Sequence, residues 1–293
     1  MVVARFTDQS AANQRAVGCP DGRRSRADTR MSTLHWPIDR TLNYGRHAVS
    51  ELCDLAAPFD RVVDLGAGAG DDLASARRAS PGAELHGVEL EPDKFAELTR
   101  NGIAVHAIDL EHEPLPFEDE SVDLVISNQT LEHTKEIFWI FHQMVRVLRV
   151  GGHLLVGVPN LAGIQNRILL AAGRQPSVIR TASAHVRGFT IPGLEDFIDQ
   201  CFPGGLELVT VRGSNFYPLP RAPALWFARR WPRLAWSVFL LWRKTRAYES
   251  EFLRYPHDEA LETPFFLGGP DGRYSALLHE HAESSPRAHT APD

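Results

Sequence analysis

The residues best suited to chemistry lie in the segment 62–70, whose sequence is VVDLGAGAG. A short run of apolar residues ends in Asp64, and Gly66, Gly68 and Gly70 follow at alternate positions. Such a run predicts a buried strand, and glycines without a Cβ let a ligand lie against the backbone. A helical pattern follows from Asp71. The order of strand, glycine turn and helix predicts the nucleotide-binding corner of a doubly wound α/β sheet.

The glycine spacing argues against two common kinds of nucleotide-binding loop. A dinucleotide loop follows the pattern G-x-G-x-x-G, and counting from Gly66 places its third glycine at Asp71. A phosphate-binding loop of the Walker type needs a lysine after its last glycine, and Asp71 follows Gly70 instead. The loop therefore carries a carboxylate where a pyrophosphate would lie. This spacing, together with the absence of a Tyr-x-x-x-Lys pair, disfavours a nicotinamide oxidoreductase.

Polar side chains end the next three predicted strands. Glu89 ends the second strand, Asp109 the third, and Asn128 the fourth. A carboxylate at the end of the second strand can accept hydrogen bonds from a ribose diol. An acid after a strand is also a common helix cap, so each residue alone is weak evidence. Because ligands of open α/β sheets bind outside the carboxyl ends of the strands, the acids Asp64, Glu89 and Asp109 at three successive strand ends together predict one binding site.

The first motif resembles that of the class I S-adenosylmethionine-dependent methyltransferases, which is acid-x-G-x-G-x-G. The resemblance implies that the cofactor is S-adenosylmethionine, that Asp109 accepts a hydrogen bond from the adenine amino group, and that the next backbone N–H meets the ring. It implies no metal, because the sulfonium methyl is already activated. The implied cofactor-binding residues are Asp64, Gly66, Ala67, Gly68, Gly70, Glu89, Leu90, Asp109, Leu110 and Asn128.

Further segments resemble the small-molecule methyltransferases grouped around ubiquinone and menaquinone biosynthesis. Residues 113–117 (EPLPF) and 121–125 (SVDLV) are similar to one block of that group, with Val122 in place of its phenylalanine. Residues 131–133 are similar to its LEH segment. Residues 149–152 (RVGG) are similar to its glycine pair after the fourth helix. These matches imply a family and a cofactor but no particular acceptor.

Two histidines are candidate catalytic residues. His133 follows the fourth strand on the substrate side, and its ordinary pKa suits proton transfer near neutrality. It would otherwise orient a loop or cap the following helix. His185 lies in a segment, HVRGFT, that resembles one after the fifth strand in relatives. It would face the substrate or fix the connection to the next helix. Arg46 is a weaker candidate for the cofactor carboxylate.

Alternating strands and helices predict a doubly wound, mostly parallel, seven-stranded Rossmann-like α/β sheet with helices on both faces. We expect a methyltransferase domain at 33–278 with its cofactor-binding core at 60–160, and disordered tails at 1–32 and 279–293. The predicted strands are 61–65, 84–89, 105–108, 122–127, 154–158, 206–211 and 263–267. The predicted helices are 34–57, 72–79, 92–101, 134–149, 161–172 and 192–201.

The segment 213–250 is predicted as an aromatic and basic helical insert before the last strand. Residues 213–248 contain no acidic residue, and their basic residues are interleaved with tryptophans. The apolar run 234–242 is too short to span a bilayer, which takes about 20 residues. The segment either packs on its own domain or forms a lid or a peripheral membrane contact.

Bulk composition excludes several classes of protein. The net charge of -6 predicts no general affinity for nucleic acid. The three cysteines are scattered, so neither a disulfide framework nor a cysteine zinc site is indicated. We expect a cytoplasmic enzyme, in contact with the inner membrane face if the insert binds lipid. It would methylate a small-molecule, lipid-linked or glycan acceptor at oxygen; the alternative is a non-catalytic interaction module. The oligomeric state stays open.

Overall fold

The structure is a computed structural model that describes residues 40–259 and residue 261. Its strands are β1 (Arg61–Leu65), β2 (Glu84–Val88), β3 (Ala104–His106), β4 (Val122–Asn128), β5 (Leu148–Pro159), β6 (Leu206–Gly213) and β7 (Ser237–Lys244). Its α-helices are α1 (Arg46–Ala56), α2 (Asp71–Ala79), α3 (Pro92–Arg100), α4 (Ile137–Val147), α5 (Ile164–Ala171), α6 (Ile191–Cys201), α7 (Arg221–Arg230) and α8 (Glu251–Asp258). Short 3-10 helices lie at Arg40–Tyr44, Leu131–His133 and Pro232–Leu234.

The seven strands form one sheet in the order β3-β2-β1-β4-β5-β7-β6. The pairs among β1 to β5 are parallel, and β7 runs antiparallel to both of its neighbours. The predicted mostly parallel sheet is therefore confirmed. The direction of strand progression reverses between β1 and β4, and a crevice opens outside the carboxyl ends of the strands at such a reversal.

The side chains of alternate strand residues pack into two cores, one on each face of the sheet. Val62 packs in the core that contains α1, α2 and α3, whereas Val63 packs in the core of α4, α6 and α8. Because both faces are covered, the central strands are almost continuously apolar. This burial fixes the register of β1, and with it the position of the glycine turn that follows.

The seventh strand comes earlier in the chain than the sequence predicts. The predicted last strand, 263–267, lies outside the described residues, as do the predicted tails 1–32 and 279–293. The segment 213–250 supplies α7 and then β7, which inserts between β5 and β6. Residues 238–242 of this strand are almost fully buried. The apolar run inside the basic segment is thus a strand covered on both faces, and the segment is only partly helical.

Several basic side chains of this segment pair with acids elsewhere in the domain. Arg229 lies 2.7 Å from Glu51, and Arg243 lies 2.6 Å from Glu207. These pairs agree with the alternative in which the segment packs on its own domain. Within residues 40–259, no helix has the length and apolar character needed to cross a membrane.

Lys244 is fully buried at the end of β7, where it stabilises the end of α4. Its Nζ donates to the carbonyl oxygens of Val145 at 3.0 Å and Leu148 at 2.6 Å, and lies 3.2 Å from Glu120. Burial lowers the pKa of Lys244, and Glu120 opposes that shift. The lysine thus serves as a buried donor for carbonyls that the helix itself leaves unpaired.

We expect Lys244→Met to reduce the free energy of unfolding by about 2–4 kcal/mol, because two buried carbonyls lose a donor. Urea denaturation followed by circular dichroism measures this loss. Arg243→Met is the matched control, since its exposed ion pair with Glu207 contributes about 1 kcal/mol or less. Equal losses for the two variants would contradict the role given to Lys244.

Candidate functional site

The glycine loop between β1 and α2 is tied to β2 by its backbone. The N–H groups of Gly66 and Ala67 both donate to the carbonyl of Val88, at 2.9 and 3.0 Å. Gly70 N–H donates to the carbonyl of Ala67 at 2.8 Å. Gly66 and Gly68 have φ angles of 78° and 52°, in the left-handed region that favours glycine. The loop is therefore a fixed turn at the carboxyl end of β1.

The loop glycines differ in what surrounds them. A Cβ on Gly66 would lie 2.5 Å from Oγ1 of Thr130, and one on Gly70 would lie 2.7 Å from Cδ1 of Ile103. These two glycines allow close packing. A Cβ on Gly68 would meet no atom of the described residues within 4 Å. The backbone of Gly68 therefore faces open space, as a loop that holds a ligand requires.

Glu89 is the first residue after β2, and its carboxylate holds the tip of the glycine loop. Its Oε2 accepts from Gly68 N–H at 2.7 Å, and its Oε1 accepts from the N–H groups of Leu90 and Glu91 at 2.8 and 2.9 Å. A carboxylate offers about four acceptor positions. These three bonds leave acceptor capacity for a ligand hydroxyl beside Gly68, the position that the sequence predicts for a ribose.

A buried acidic cluster lies beneath the loop. Asp72 accepts from the Asn128 side chain at 2.8 Å and from Arg46 at 2.6 Å, while Arg46 also lies 3.1 Å from Asp71. Asp64 is 1% exposed, and one carboxylate oxygen of Asp64 and of Asp72 has no hydrogen-bond partner within the described residues. Arg46, which the sequence assigns to a cofactor carboxylate, makes its ion pairs here with acids of α2.

The charge balance of this cluster favours a cationic ligand. Burial and the neighbouring Asp72 raise the pKa of Asp64 well above its usual range; Glu89 adds to this and Arg46 opposes it. The carboxyl groups of Asp64, Asp71 and Asp72 thus share the guanidinium of Arg46. A positively charged group nearby would stabilise the ionised carboxylates and supply a partner for their unpaired oxygens. Asp72 was not among the predicted site residues, although its place directly after Asp71 at the end of the glycine loop could have indicated it.

We expect Asp64→Asn to become progressively more stable relative to the wild type as pH rises above about 4. The folded protein has a raised Asp64 pKa, so it binds this proton more tightly than the unfolded chain. The stability that the proton contributes is full below the unfolded pKa and is lost as pH rises towards the folded pKa. Urea denaturation at pH 5 and at pH 8, without ligand, tests this expectation. A stability difference that does not change with pH would contradict it.

Asp109 and Leu110 lie in the turn after β3 rather than at its last residue, which is His106. Oδ1 of Asp109 accepts from Glu111 N–H at 3.0 Å, and its Oδ2 lies 2.9 Å from Nδ1 of His112. Leu110 is half-buried against the core. Asp109 therefore stabilises its own turn in this structure, and its predicted contact with adenine stays a prediction.

The two candidate histidines lie together beside a buried glutamate. The rings of His133 and His185 are 4.8 Å apart and perpendicular. Glu132 is 1% exposed, and burial raises its pKa to about 8. Desolvation and His185 lower the pKa of His133. The sequence analysis placed Glu132 only within the LEH segment and gave it no role.

Other contacts bear on the alternatives for these histidines. Helix α4 begins at Ile137 with Glu136 as its N-cap, so the alternative in which His133 caps this helix is wrong, and the alternative in which it orients a loop stays open. Nδ1 of His185 lies 2.7 Å from the carbonyl oxygen of Val178. This contact ties His185 to the loop before α6, and the alternative in which His185 faces the substrate stays a prediction.

A cleft of about 680 Å³ lies between α5 and the loop before α7. Its apolar wall includes Ile164, Ile168 and the aromatic pair Tyr217 and Trp236, whose rings are 5.6 Å apart. Arg180 and three uncharged polar residues, Asn43, Gln165 and Ser177, complete the lining with Leu169 and Pro218. Asn43 precedes Tyr44, whose carbonyl accepts from Asn128 at 3.0 Å. One lining residue is thus a chain neighbour of the residue that Asn128 binds, and the cleft can hold a mostly apolar small molecule.

Comparisons with known proteins agree with this geometry. Residues 63–156 match the family described as a methyltransferase domain. Arsenite methyltransferase of Halobacterium salinarum is 34% identical over 106 residues, which are 34% of this chain and 27% of that protein. The ubiquinone biosynthesis O-methyltransferase of Cupriavidus pinatubonensis is 27% identical over 173 residues, 56% of this chain and 67% of that protein. The chain thus spans about a quarter of the first relative and two thirds of the second.

A solved structure shares the fold. A chain from the complex between the Haloferax volcanii Trm112 methyltransferase activator and a methyltransferase superposes with a TM-score of 0.51 at 19% identity, covering 72% of this chain and 92% of that one. The matched residues 63–156 include the glycine loop, Glu89, the end of β4 and most of β5. The segment 63–156 is therefore a methyltransferase domain, and the surrounding fold is the one that the solved structure shares.

Proposed function

We propose that this protein transfers a methyl group from S-adenosylmethionine to an oxygen atom of a mostly apolar small molecule. The observation that carries the proposal is the open space at Gly68, bounded by the Glu89 carboxylate and by buried acids with unpaired oxygens. This donor set fits a ligand that has a ribose diol and positive charge. S-adenosylmethionine has both, since its sulfonium and ammonium groups are cationic.

When bound, S-adenosylmethionine supplies a methyl group that is already activated by the sulfonium. Glu89 would accept hydrogen bonds from the ribose hydroxyls, while Asp64 and Asp72 would face the positively charged groups of the cofactor. Asn128, held by its bonds to Asp72 and to the Tyr44 carbonyl, would fix the wall beside the reacting centre. An acceptor oxygen that has lost its proton to solvent would then displace S-adenosylhomocysteine from the methyl carbon in line. Such positioning can contribute about 7–11 kcal/mol to catalysis.

The lining of the cleft supports an apolar acceptor. Its aromatic pair and aliphatic side chains suit a ring or a chain of carbon atoms, while Arg180 can pair with an anionic substituent. The relative from Cupriavidus pinatubonensis, named as an O-methyltransferase, supports transfer to oxygen. The chemistry of this wall favours an apolar hydroxy or carboxy compound over a glycan.

A product screen tests this function. The full-length protein is incubated with S-adenosylmethionine carrying a labelled methyl group and with matched panels of phenols, apolar carboxylic acids and simple sugars. We expect labelled methyl ethers or esters from the apolar panels, detected by mass spectrometry. Transfer only to sugars or to nitrogen compounds, or no transfer to any panel, would contradict the proposal.

A lipid-linked acceptor is a second candidate, because α7 and its neighbourhood expose aromatic residues. Trp226 and Trp231 are 59% and 40% exposed, and the guanidinium of Arg230 lies 5.4 Å from the ring of Trp231. Tryptophan and arginine at an exposed helix are typical of an interfacial contact with anionic lipid. Flotation with anionic vesicles at low salt separates the candidates: co-flotation favours the lipid acceptor, and protein left at the bottom excludes it.

A further inference from the structure

The LEH segment after β4 and the loop before α6 bring three potential metal ligands together. The ligand atoms of Glu132, His133 and His185 all lie within 4.8 Å of one another. The two histidines are 52 positions apart in sequence, so only the fold makes them neighbours. The backbone carbonyl of Glu132 accepts from Val186 N–H at 2.8 Å and from Arg187 N–H at 3.3 Å. These bonds hold the loop that carries His185 against the LEH segment.

Each of the two histidines donates a hydrogen bond through one ring nitrogen, which leaves the other ring nitrogen available as a ligand. Nδ1 of His185 must be the donor to the carbonyl of Val178, because a carbonyl carries no proton. His133 likewise donates to the carbonyl of Ala184. A neutral ring that donates through one nitrogen has a lone pair on the other. Imidazoles that bind metals usually donate their other N–H to a carbonyl or carboxylate in this way.

The third ligand is a buried carboxylate that lacks a partner. Oε2 of Glu132 is buried and has no hydrogen-bond partner within the described residues. An ionised carboxylate in this position is costly unless a cation or donors compensate it. His133 is exposed and His185 half-buried, so the cluster is reachable from solvent on the histidine side. The site therefore combines a buried carboxylate ligand with histidine ligands that an ion can reach from solvent.

We propose that Glu132, His133 and His185 bind a divalent transition-metal ion, with zinc as the best fit. Two imidazoles and one carboxylate are the protein ligands of catalytic zinc sites that keep an open position. Bonds of about 2.1 Å bring ligand atoms to within about 4 Å of each other, so small side-chain rotations close the site. Magnesium and calcium prefer oxygen ligands, so two imidazoles select against them.

The location of the site suggests a use for its open position, which rests on the proposed function. Val178, which receives the hydrogen bond of His185, follows Ser177 in the lining of the cleft. A metal ion whose open position takes the acceptor oxygen would act as a Lewis acid on that oxygen and lower its pKa. His133 would then serve as a ligand, because one lone pair cannot both bind a metal and accept a proton. A metal-bound His133 would replace the expectation from sequence that no metal is needed and that His133 is a candidate base.

Isothermal titration calorimetry with zinc chloride tests the site without cofactor or acceptor. The full-length protein is produced without a polyhistidine tag and freed of metal by chelation. We expect one zinc ion per chain, and at least a tenfold weaker affinity for Glu132→Gln and for His185→Ala. His257→Ala is the matched control, since His257 is exposed on α8 and is not one of the three clustered ligands. Its affinity should equal that of the wild type.

Circular dichroism verifies the fold of each variant, and visible absorption of the cobalt-substituted wild type reports directly on coordination by nitrogen ligands. Absence of zinc binding by the wild type, binding of magnesium in preference to zinc, or equal affinities for the wild type and a folded His185→Ala would overturn the proposal. The outcome is independent of the proposed function. A protein that binds zinc here but methylates no acceptor would retain the metal site and refute the methyl transfer.

Discussion

Replacing Glu89 with alanine is expected to weaken the binding of S-adenosylhomocysteine by about ten- to a hundredfold. The change removes a charged acceptor from the ribose hydroxyls, which costs about 1.5–3 kcal/mol, and 1.4 kcal/mol corresponds to tenfold in affinity. It also removes the acceptor of Gly68 N–H, so the tip of the glycine loop loses a 2.7 Å hydrogen bond. Both effects act on the ligand side of the loop, and calorimetric titration measures their sum.

Two further variants make this experiment specific. Glu91→Ala removes the same charge and the same number of atoms two positions away, from an exposed residue. Its affinity should remain within about twofold of the wild type. Glu89→Gln keeps one acceptor oxygen and should lie between the wild type and the alanine variant. Equal affinities for Glu89→Ala and Glu91→Ala would remove Glu89 from the binding site.

Replacing Gly68 with leucine is expected to abolish both cofactor binding and methyl transfer while leaving the protein folded. Among residues 40–259, no atom lies within 4 Å of a Cβ added at Gly68, so the new side chain enters open space and not the core. The left-handed φ of 52° adds strain of about 1–2 kcal/mol. The space that leucine fills is the space we assign to the cofactor, so steric exclusion acts on binding directly.

Gly204→Leu is the matched control, because it introduces the same backbone strain outside the proposed cofactor site. Gly204 has a φ of 62° and also lacks any neighbour in the described part of the chain within 4 Å of an added Cβ, but it lies between α6 and β6. Both variants should lose a similar amount of unfolding free energy in urea, and only Gly68→Leu should lose binding. If Gly68→Leu bound S-adenosylhomocysteine as tightly as Gly204→Leu, the cofactor would have to lie elsewhere.

The sequence was sufficient to predict the cofactor half of the domain because its signals are local. The apolar run before Asp64 predicted β1 at 61–65, which is the range that the structure shows. The glycine spacing and the place of Glu89 after a strand then required no knowledge of distant residues. Strand β7 was missed because its apolar run lies within a basic, tryptophan-rich segment, where the pattern could not separate a covered strand from a short buried helix.

The features that sequence reasoning missed depend on contacts between distant segments. Asp72 has an ordinary place in the first turn of a helix, and only the fold brings Asn128 and Arg46 to it. Glu132 is likewise unremarkable until the loop carrying His185 covers it. Burial of a carboxyl group without a partner is a property of packing, and no spacing rule along the chain predicts it.

The most direct measurement of the central claim is a calorimetric titration of the wild-type protein with S-adenosylhomocysteine and, separately, with NAD. The loop spacing, the Glu89 carboxylate and the open space at Gly68 predict saturable binding of one S-adenosylhomocysteine per chain and no measurable binding of NAD. Binding of NAD with no heat from S-adenosylhomocysteine, in a protein whose circular dichroism shows the α/β fold, would contradict the assignment of this crevice to a methyl donor.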